Sequence, residues 1–218
     1  MPFTEDLDTF FIDFRDSVIY DNAEYIAFLD QPDEMIADGV VLTTDYQLTG
    51  KTKDFGSILF DETIRQSAAD GTLLRDLITS QDALPGIKVD KGLQPIDDCP
   101  GETVTVGLDG LDERLKEYSS MGAKFTKWRA VINIGEGIPT DKCIDANMQA
   151  LADYAKCAQD NGMVPIVEPE VLMDGVHSID DCYDASARSL KSLFDHLDKK
   201  GVNIKAVSYT HLTLPTIY

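Results

Sequence analysis

Short apolar runs alternate with amphipathic stretches along most of this chain. Five runs are candidate strands: GSILF (56–60), GIKVD (86–90), KFTKWRAVI (124–132), VPIVE (164–168) and VNIKA (202–206). From Gly86 onward a new run begins about every 38 residues, which leaves room for one strand, one helix and modest loops. Strands joined through helices run parallel, so the pattern predicts an α/β fold with helices outside a parallel sheet.

Three of the intervening stretches place apolar residues at helical spacing: 108–121, 141–161 and 180–200. In the second stretch Ile144, Met148 and Leu151 recur three or four positions apart, with charged residues on the opposite face. A glycine follows each stretch, where a left-handed residue can end a helix. The predicted repeating unit is therefore strand, loop, helix, glycine and strand.

The number of candidate strands limits the choice of fold. A (β/α)8 barrel has eight strands and typically about 250 residues. This chain has 218 residues and five clear candidate strands, or six if 24–29 (EYIAFL) also forms one. The spacing alone does not distinguish a barrel from an open sheet, and a barrel built from this chain would be incomplete. The length and the hydrophobic content of 43% predict a single domain over 1–218.

The chain is strongly acidic, with 39 acidic and 19 basic side chains and a formal charge of -20. Residues 1–50 account for -11 of that charge, since they carry twelve acids and one base, Arg15. Such a charge repels nucleic acids and anionic membranes, so neither is expected as a partner. No secretory leader is expected, and the sequence has no CxxC spacing and no apolar run of roughly 18 residues. These features predict a soluble cytoplasmic protein with free thiols.

Charged side chains lie within or just after three of the candidate strands. They are Lys91 after the second strand, Lys127 and Arg129 within the third, and Glu168 and Glu170 at the end of the fourth. A strand buried on both faces is otherwise nearly all apolar, so charges at its carboxyl end need a polar cleft. Strand alternation puts Lys127 and Arg129 on one face and Trp128 on the other. Two neighbouring cations favour an anionic ligand such as a phosphate or a carboxylate.

Lysine and glutamate side chains in one cleft also permit covalent chemistry. Either Lys91 or Lys127 can act as a nucleophile or form an imine, and Glu168 or Glu170 can transfer protons. A structural alternative is a pair of salt bridges, Lys127 to Glu168 and Arg129 to Glu170, that close the end of the sheet.

A metal site is a further alternative for the same strand ends. Its candidate ligands are Glu168, Glu170 and His177. His177 lies in a DGVHS loop and His196 lies on a charge-rich helix, and both are expected to be exposed polar residues.

Three long and ordered sequence blocks carry a family resemblance: GIKVDKG, GETVTVGLDGLDERLKEYSSMGAKFTKWRAVINIG and NGMVPIVEPEVLMDG. From about 56 to 206 the sequence closely resembles class I fructose-bisphosphate aldolase. The resemblance implies a (β/α)8 TIM barrel and a glycolytic lyase that works without a metal ion or other cofactor. The implied reaction is the reversible cleavage of fructose 1,6-bisphosphate to dihydroxyacetone phosphate and glyceraldehyde 3-phosphate through a lysine imine. The intact family is expected to form cytoplasmic homotetramers.

The resemblance also assigns roles to the charged strand ends. Lys91 of VDKG and Lys127 and Arg129 of KWR are expected to contact the sugar bisphosphate, with Lys127 also catalytic. Glu168, the first glutamate of VEPE, is expected to act as the acid and base of imine formation. Glu170 is expected to lie close to the lysine that forms the imine.

Two segments depart from the family pattern. The family has a strand of the LLKPN type whose lysine forms the imine, whereas this chain continues as VNIKAVSYTHLTLPTIY. Lys205 is not in an LKPN context and is not assigned that role. Near the N-terminus the family has an ILAADES strand with a catalytic aspartate, and Asp30 in YIAFLDQ (25–31) is a faint counterpart.

The resemblance therefore divides the single domain into three parts. Residues 1–50 are a divergent region, 56–206 are aldolase-like βα units, and 207–218 are a tail unlike the family. The alternative function is a truncated, catalytically inactive aldolase fragment that lacks the imine-forming lysine.

Overall fold

The structure of the protein is a computed structural model that describes residues 35–37, 40–42, 55–81 and 83–209. The candidate strand 24–29, Asp30 and His211 lie outside these residues.

Within the described ranges the chain forms nine strands, five α-helices and one short 3-10 helix. The strands are β1 (Met35–Ala37), β2 (Val40–Leu42), β3 (Phe55–Leu59), β4 (Ala83–Lys88), β5 (Leu93–Pro95), β6 (Thr103–Thr105), β7 (Phe125–Ile132), β8 (Val164–Val171) and β9 (Ser208–Tyr209). The helices are α1 (Asp61–Arg65), α2 (Leu74–Ser80), α3 (Leu111–Ser120), α4 (Asp141–Asp160) and α5 (Ile179–Lys199), and the 3-10 helix is Ile204–Ala206.

Seven of the strands form one sheet in the order β1-β2-β3-β4-β7-β8-β9. The five strands β3, β4, β7, β8 and β9 are parallel to one another, while β2 is antiparallel to both β1 and β3. The predicted parallel α/β sheet is therefore confirmed. In the part of the chain that the structure describes, β1 and β9 lie at opposite edges, so the sheet is an incomplete barrel that does not close. The remaining strands, β5 and β6, pair as a separate hairpin.

The two faces of the sheet bury different residues. On the face toward the helices, a large apolar core includes Leu59, Ile87, Trp128, Leu151, Tyr154 and Leu193. On the other face, which we call the inner face, Ile58, Phe125 and Ile166 form a smaller cluster. The ring of Phe125 lies so close to Gly86 that a Cβ atom there would be 2.1 Å from it. Glycine is therefore required at this position of β4.

The three predicted helices are confirmed as α3, α4 and α5, and their ends differ from the prediction by at most three residues. The N-termini of the two long helices are capped by side chains. Thr140 accepts a hydrogen bond from the backbone N–H of Cys143 at the start of α4. Ser178 and Asp181 form a reciprocal capping box at the start of α5. Two short helices, α1 and α2, were not predicted because five and seven residues carry too little periodicity.

The predicted strand at 202–206 is wrong. The structure has a 3-10 helix at Ile204–Ala206, because the side chain of Asn203 accepts the N–H of Lys205 at 3.1 Å and turns the chain. The strand β9 follows, and its Ser208 pairs with Ile166 of β8.

The expectation that both histidines are exposed is also wrong. His196 is 8% exposed, because it lies on the face of α5 that packs toward α4. Its Nε2 atom is 2.8 Å from Oδ1 of Asp145 on that helix. His177 is half-buried in the loop before α5.

The four cysteines are free thiols, as predicted. Burial raises the pKa of Cys143 to about 12, so its thiol stays protonated near neutral pH. Among the described helices, none combines the length and the apolar character that a membrane-spanning helix needs.

Candidate functional site

Charged side chains gather on the inner face of three neighbouring parallel strands, at the carboxyl end of β4, in the middle of β7 and in the second half of β8. We call this group the strand-end cluster: Lys88, Asp90, Lys127, Arg129, Glu168 and Glu170. The strands are in register, with Lys88 opposite Lys127 and Arg129 opposite Glu168. Because alternate residues share a face, Lys127 and Arg129 follow Phe125 on the inner face, while Glu168 and Glu170 follow Ile166. Along each strand, the apolar residues of the inner face are thus followed by charged residues.

Lys127 and Glu168 form an ion pair between β7 and β8. The Nζ atom of Lys127 lies 3.0 Å from Oε2 of Glu168. The carboxylate is 1% exposed and the lysine side chain 20% exposed. A carboxylate at this depth needs a charged partner, since an isolated buried charge is very costly.

Arg129 and Glu170 form the second ion pair, through the arginine Nε and the glutamate Oε2. The hydrogen bond to Glu170 raises the pKa of Arg129. This pair lies nearer to solvent, with Arg129 42% exposed and Glu170 18% exposed. Both salt bridges of the structural alternative are thus confirmed.

Lys88 and Asp90 form a third ion pair, at 2.5 Å, and sequence reasoning missed it. The other oxygen of Asp90 accepts a hydrogen bond from the backbone N–H of Arg129 at 3.4 Å. Strand alternation could have revealed it. Gly86 faces the Phe125 ring on the inner face, so Lys88, two residues later, lies on the same face. Each cation of the strand-end cluster therefore has one carboxylate partner.

Lys91 lies just beyond β4 and is exposed. It lines a groove of about 730 Å³ together with Lys88 and Asp90 on one side and Asp61 and Arg65 on the other. The structure thus places Lys91 on the side of the cluster next to α1. The ion pairs of Lys127 and Arg129 extend to the opposite side, toward β8.

The wall of this groove is a hydrogen-bonded network between α1 and α3. Arg65 donates to Asp61 at 2.8 Å and to Glu117 at 2.6 Å, and the Tyr118 hydroxyl donates to Asp61 at 2.9 Å. The bond from Arg65 lowers the pKa of Asp61. Arg114 donates to the backbone carbonyl of Val89 at 2.9 Å. The end of β4 is therefore fixed by α3.

Tyr154 of α4 supports the site from the helix side of the sheet. Its hydroxyl lies 2.7 Å from Oγ1 of Thr126 and donates to the Ile166 carbonyl at 3.2 Å. Its ring stacks on Trp128, with centroids 5.4 Å apart. Burial raises the pKa of Tyr154 well above its ordinary value, so the hydroxyl stays protonated. This one side chain joins β7 to β8 directly beneath Lys127.

His177 lines a different cavity, of about 310 Å³, between the loop after β7 and the start of α5. Among the described residues, no three His, Cys, Asp or Glu side chains are grouped so that they could hold a metal ion. The alternative site of Glu168, Glu170 and His177 is therefore not formed by these residues.

Known proteins match the region that carries the site. The family model described as "Fructose-bisphosphate aldolase class-I" matches residues 39–209. A probable fructose-bisphosphate aldolase class 1 of Xanthomonas axonopodis pv. citri is 55% identical over 156 residues, covering 71% of this chain and 47% of that protein. The cytosolic fructose-bisphosphate aldolase 6 of Arabidopsis thaliana is 50% identical over 145 residues, covering 65% and 40%.

A solved structure gives the same result. It is the fructose-bisphosphate aldolase of Plasmodium falciparum, in complex with TRAP and a small-molecule inhibitor, with a TM-score of 0.69 and 44% identity over 71% of this chain and 45% of that chain. The chain spans less than half the length of these relatives. Since the family model matches well over half of its residues, the chain belongs to the class I fructose-bisphosphate aldolase family.

Proposed function

We propose that the strand-end cluster is part of a site for the reversible cleavage of fructose 1,6-bisphosphate to dihydroxyacetone phosphate and glyceraldehyde 3-phosphate through a lysine imine. One observation carries the proposal. Three cations lie side by side on two adjacent parallel strands, Lys88 on β4 and Lys127 and Arg129 on β7, and each is held by a carboxylate. Family membership supports the same reaction, which belongs to glycolysis.

The cations provide binding for phosphate groups. Arg129 is the most exposed of the three and can contact a phosphate with two N–H groups, whereas Lys88 and Lys127 act as point charges. Each cation already has a carboxylate partner. An incoming phosphate therefore either displaces that carboxylate or shares the cation with it. Lys91 extends the same positive surface into the groove beside Lys88.

The carboxylates provide proton transfer. Imine formation from an amine and a ketone passes through a carbinolamine, whose hydroxyl leaves as water after it receives a proton. Glu168 is the proposed donor, because Lys127 lies 3.0 Å away and can stabilise the carboxylate that remains. Glu170 is proposed to lie beside the imine-forming lysine, and Asp30 to accept the proton of the C4 hydroxyl.

The second candidate function is an aldolase fragment that binds sugar phosphates and forms no imine. A specific observation favours it: after α5 the chain continues through a 3-10 helix and the two-residue β9. The sequence there contains no LKPN-type lysine. Without that lysine covalent catalysis is lost, although the cations of the strand-end cluster remain.

Imine trapping tests the reaction and separates the two candidates. The 218-residue protein is incubated with dihydroxyacetone phosphate and borohydride, which reduces an imine to a stable secondary amine. We expect one lysine to carry the adduct in peptide mass mapping, and a chelator to leave the labelling unchanged. Borohydride without the triose phosphate is the control. If no lysine is labelled while the sugar phosphate still binds, the inactive fragment is the correct description.

A further inference from the structure

Asp90 occupies a buried position just beyond the end of β4 and beside Arg129 of β7, with its side chain 5% exposed. One carboxylate oxygen accepts a hydrogen bond from the ammonium of Lys88 at 2.5 Å. The other accepts one from the backbone N–H of Arg129 at 3.4 Å. A buried carboxylate is tolerated when its oxygens are bonded in this way. Both oxygens are therefore engaged in holding other parts of the strand-end cluster.

The contact with Arg129 extends the pairing of the two strands. The N–H of Val89 donates to the carbonyl of Lys127 at 3.0 Å. Two residues further along β7, the side chain of Asp90 accepts the N–H of Arg129, while the Val89 carbonyl accepts a hydrogen bond from Arg114. Asp90 thus fixes the separation of the strand ends and the direction of the neighbouring lysine at the same time.

A carboxylate is in itself an unfavourable neighbour for an anionic ligand. By Coulomb's law alone, removal of the Asp90 charge should strengthen phosphate binding at Lys88 and Arg129. If Asp90 is instead a positioning residue, removal of its charge should weaken phosphate binding. Without the carboxylate, Lys88 and the Arg129 segment of β7 lose their fixed arrangement, and they have to be ordered when the ligand binds. The sign of the effect on affinity therefore distinguishes the two roles.

We propose that Asp90 is a positioning residue, which holds the ammonium of Lys88 beside Lys127 and Arg129 so that these cations are presented together to a phosphate group. The inference rests on the proposed function, because it requires that a sugar phosphate binds at the strand-end cluster.

The test is calorimetric titration of the 218-residue protein with fructose 1,6-bisphosphate. We expect Asp90→Asn, which keeps the shape of the side chain, to weaken binding by roughly tenfold, about the contribution of one charge-assisted hydrogen bond. Glu117→Gln is the matched control. It removes the same charge from the wall of the same groove, where Glu117 pairs with Arg65, and it should leave binding unchanged or slightly stronger.

A double-mutant cycle identifies the residue through which Asp90 acts. In a Lys88→Met background, Asp90→Asn should have little further effect on affinity, because its partner is already absent. A general loosening of the structure would instead lower the affinity by the same factor in both backgrounds. Thermal unfolding of each variant, measured alongside, separates loss of fold from loss of affinity.

Each outcome decides a different point. If Asp90→Asn binds the bisphosphate as tightly as the unsubstituted protein or more tightly, the positioning role is wrong and the proposed function stands. Independent effects of the Lys88 and Asp90 substitutions also contradict that role. If the unsubstituted protein binds no bisphosphate, both the inference and the proposed function are overturned.

Discussion

Glu168 is the most completely buried carboxylate of the strand-end cluster, and it differs in this respect from Glu170 on the same strand. Both are paired with a cation on β7. The pair that includes Glu168 is shielded from water, whereas the Arg129 guanidinium of the other pair is exposed. Since solvent weakens ion pairs, the two carboxylates should contribute unequally to stability even though their sequence context is the same.

Glu168→Gln is therefore expected to lower the free energy of unfolding by about 2 kcal/mol, because it leaves the half-buried Lys127 without a charged partner. Glu170→Gln should cost less than about 1 kcal/mol, as is usual for an exposed pair. Urea denaturation of the two variants measures the difference. Equal costs would show that burial of the first pair has no energetic consequence.

The structure brings together four of the residues singled out from the sequence, and it adds Lys88 and Asp90 to them. Charge at the end of an apolar strand pointed to Lys127, Arg129, Glu168 and Glu170, and the structure joins these four in two pairs. Lys88 was missed because it lies inside the apolar run GIKVD, so its charge does not mark the end of that run. The sequence does not show which residue of a neighbouring strand lies opposite, and that register brings Lys88 next to Lys127.

At the scale of the elements, the long helix α4 begins at a junction with the β5–β6 hairpin. Oγ1 of Thr140 accepts the N–H of Cys143 and donates to Oε2 of Glu102, and the Thr140 backbone N–H donates to Oε1 of the same carboxylate at 2.7 Å. Glu102 is 3% exposed. One hydroxyl group thus caps the helix and satisfies a buried charge.

Thr140→Val keeps the size of the side chain and removes the hydroxyl. We expect it to destabilise the protein by about 1–2 kcal/mol, the sum of a lost cap and a weakened buried carboxylate. Thr140→Ser retains the hydroxyl and should cost less than about 0.5 kcal/mol. Chemical denaturation provides the comparison, and a valine variant as stable as the serine variant would argue against the double role of Thr140.

The capping box of α5 predicts a pH dependence. Hydrogen bonds from the backbone N–H and the hydroxyl of Ser178 lower the pKa of Asp181 below its ordinary 3.8. A lowered carboxyl pKa stabilises the fold above the unfolded-state value, and this contribution is lost as the pH falls through the folded-state value. Asp181→Asn should therefore lower the unfolding temperature near neutral pH, and the gap between the variant and the unsubstituted protein should narrow as the pH falls below 3.8. A gap that persists in acid would contradict this.

Helices were predicted more accurately than strands because their signals are longer. The 20 residues of α4 and 21 of α5 contain several repeats of the apolar period, and a glycine follows each predicted helix. The run VNIKA is five residues long, and a single hydrogen bond from Asn203 was enough to turn it away from a strand. The burial of His196 was missed because it depends on contact with Asp145 of another helix, which α5 alone does not reveal.

At the scale of the whole molecule, the residues that the structure describes form a sheet that does not close. In the described part of the chain, β9 pairs with β8 only through Ile166 and Val167, so the stretch of β8 from Glu168 to Val171 has no described strand on that side. Unpaired strand edges favour pairing with other chains.

We therefore expect the 218-residue chain to self-associate or to be poorly soluble. The net charge of -20 opposes association, so added salt should strengthen it by screening the repulsion. Sedimentation velocity over a range of protein and salt concentrations tests this. A monodisperse monomer that unfolds cooperatively under all these conditions would rule out an exposed, reactive edge.

Trp128 is the one tryptophan of the chain, and it is fully buried on the helix side of β7 between Lys127 and Arg129. The protein therefore carries its own optical probe, placed one residue from the proposed substrate contacts and separated from them by the sheet. Its emission should shift to longer wavelength when the helix core opens to water. The same probe has no direct contact with a ligand on the inner face, so spectra of this one ring can follow unfolding of a variant while calorimetry follows its binding.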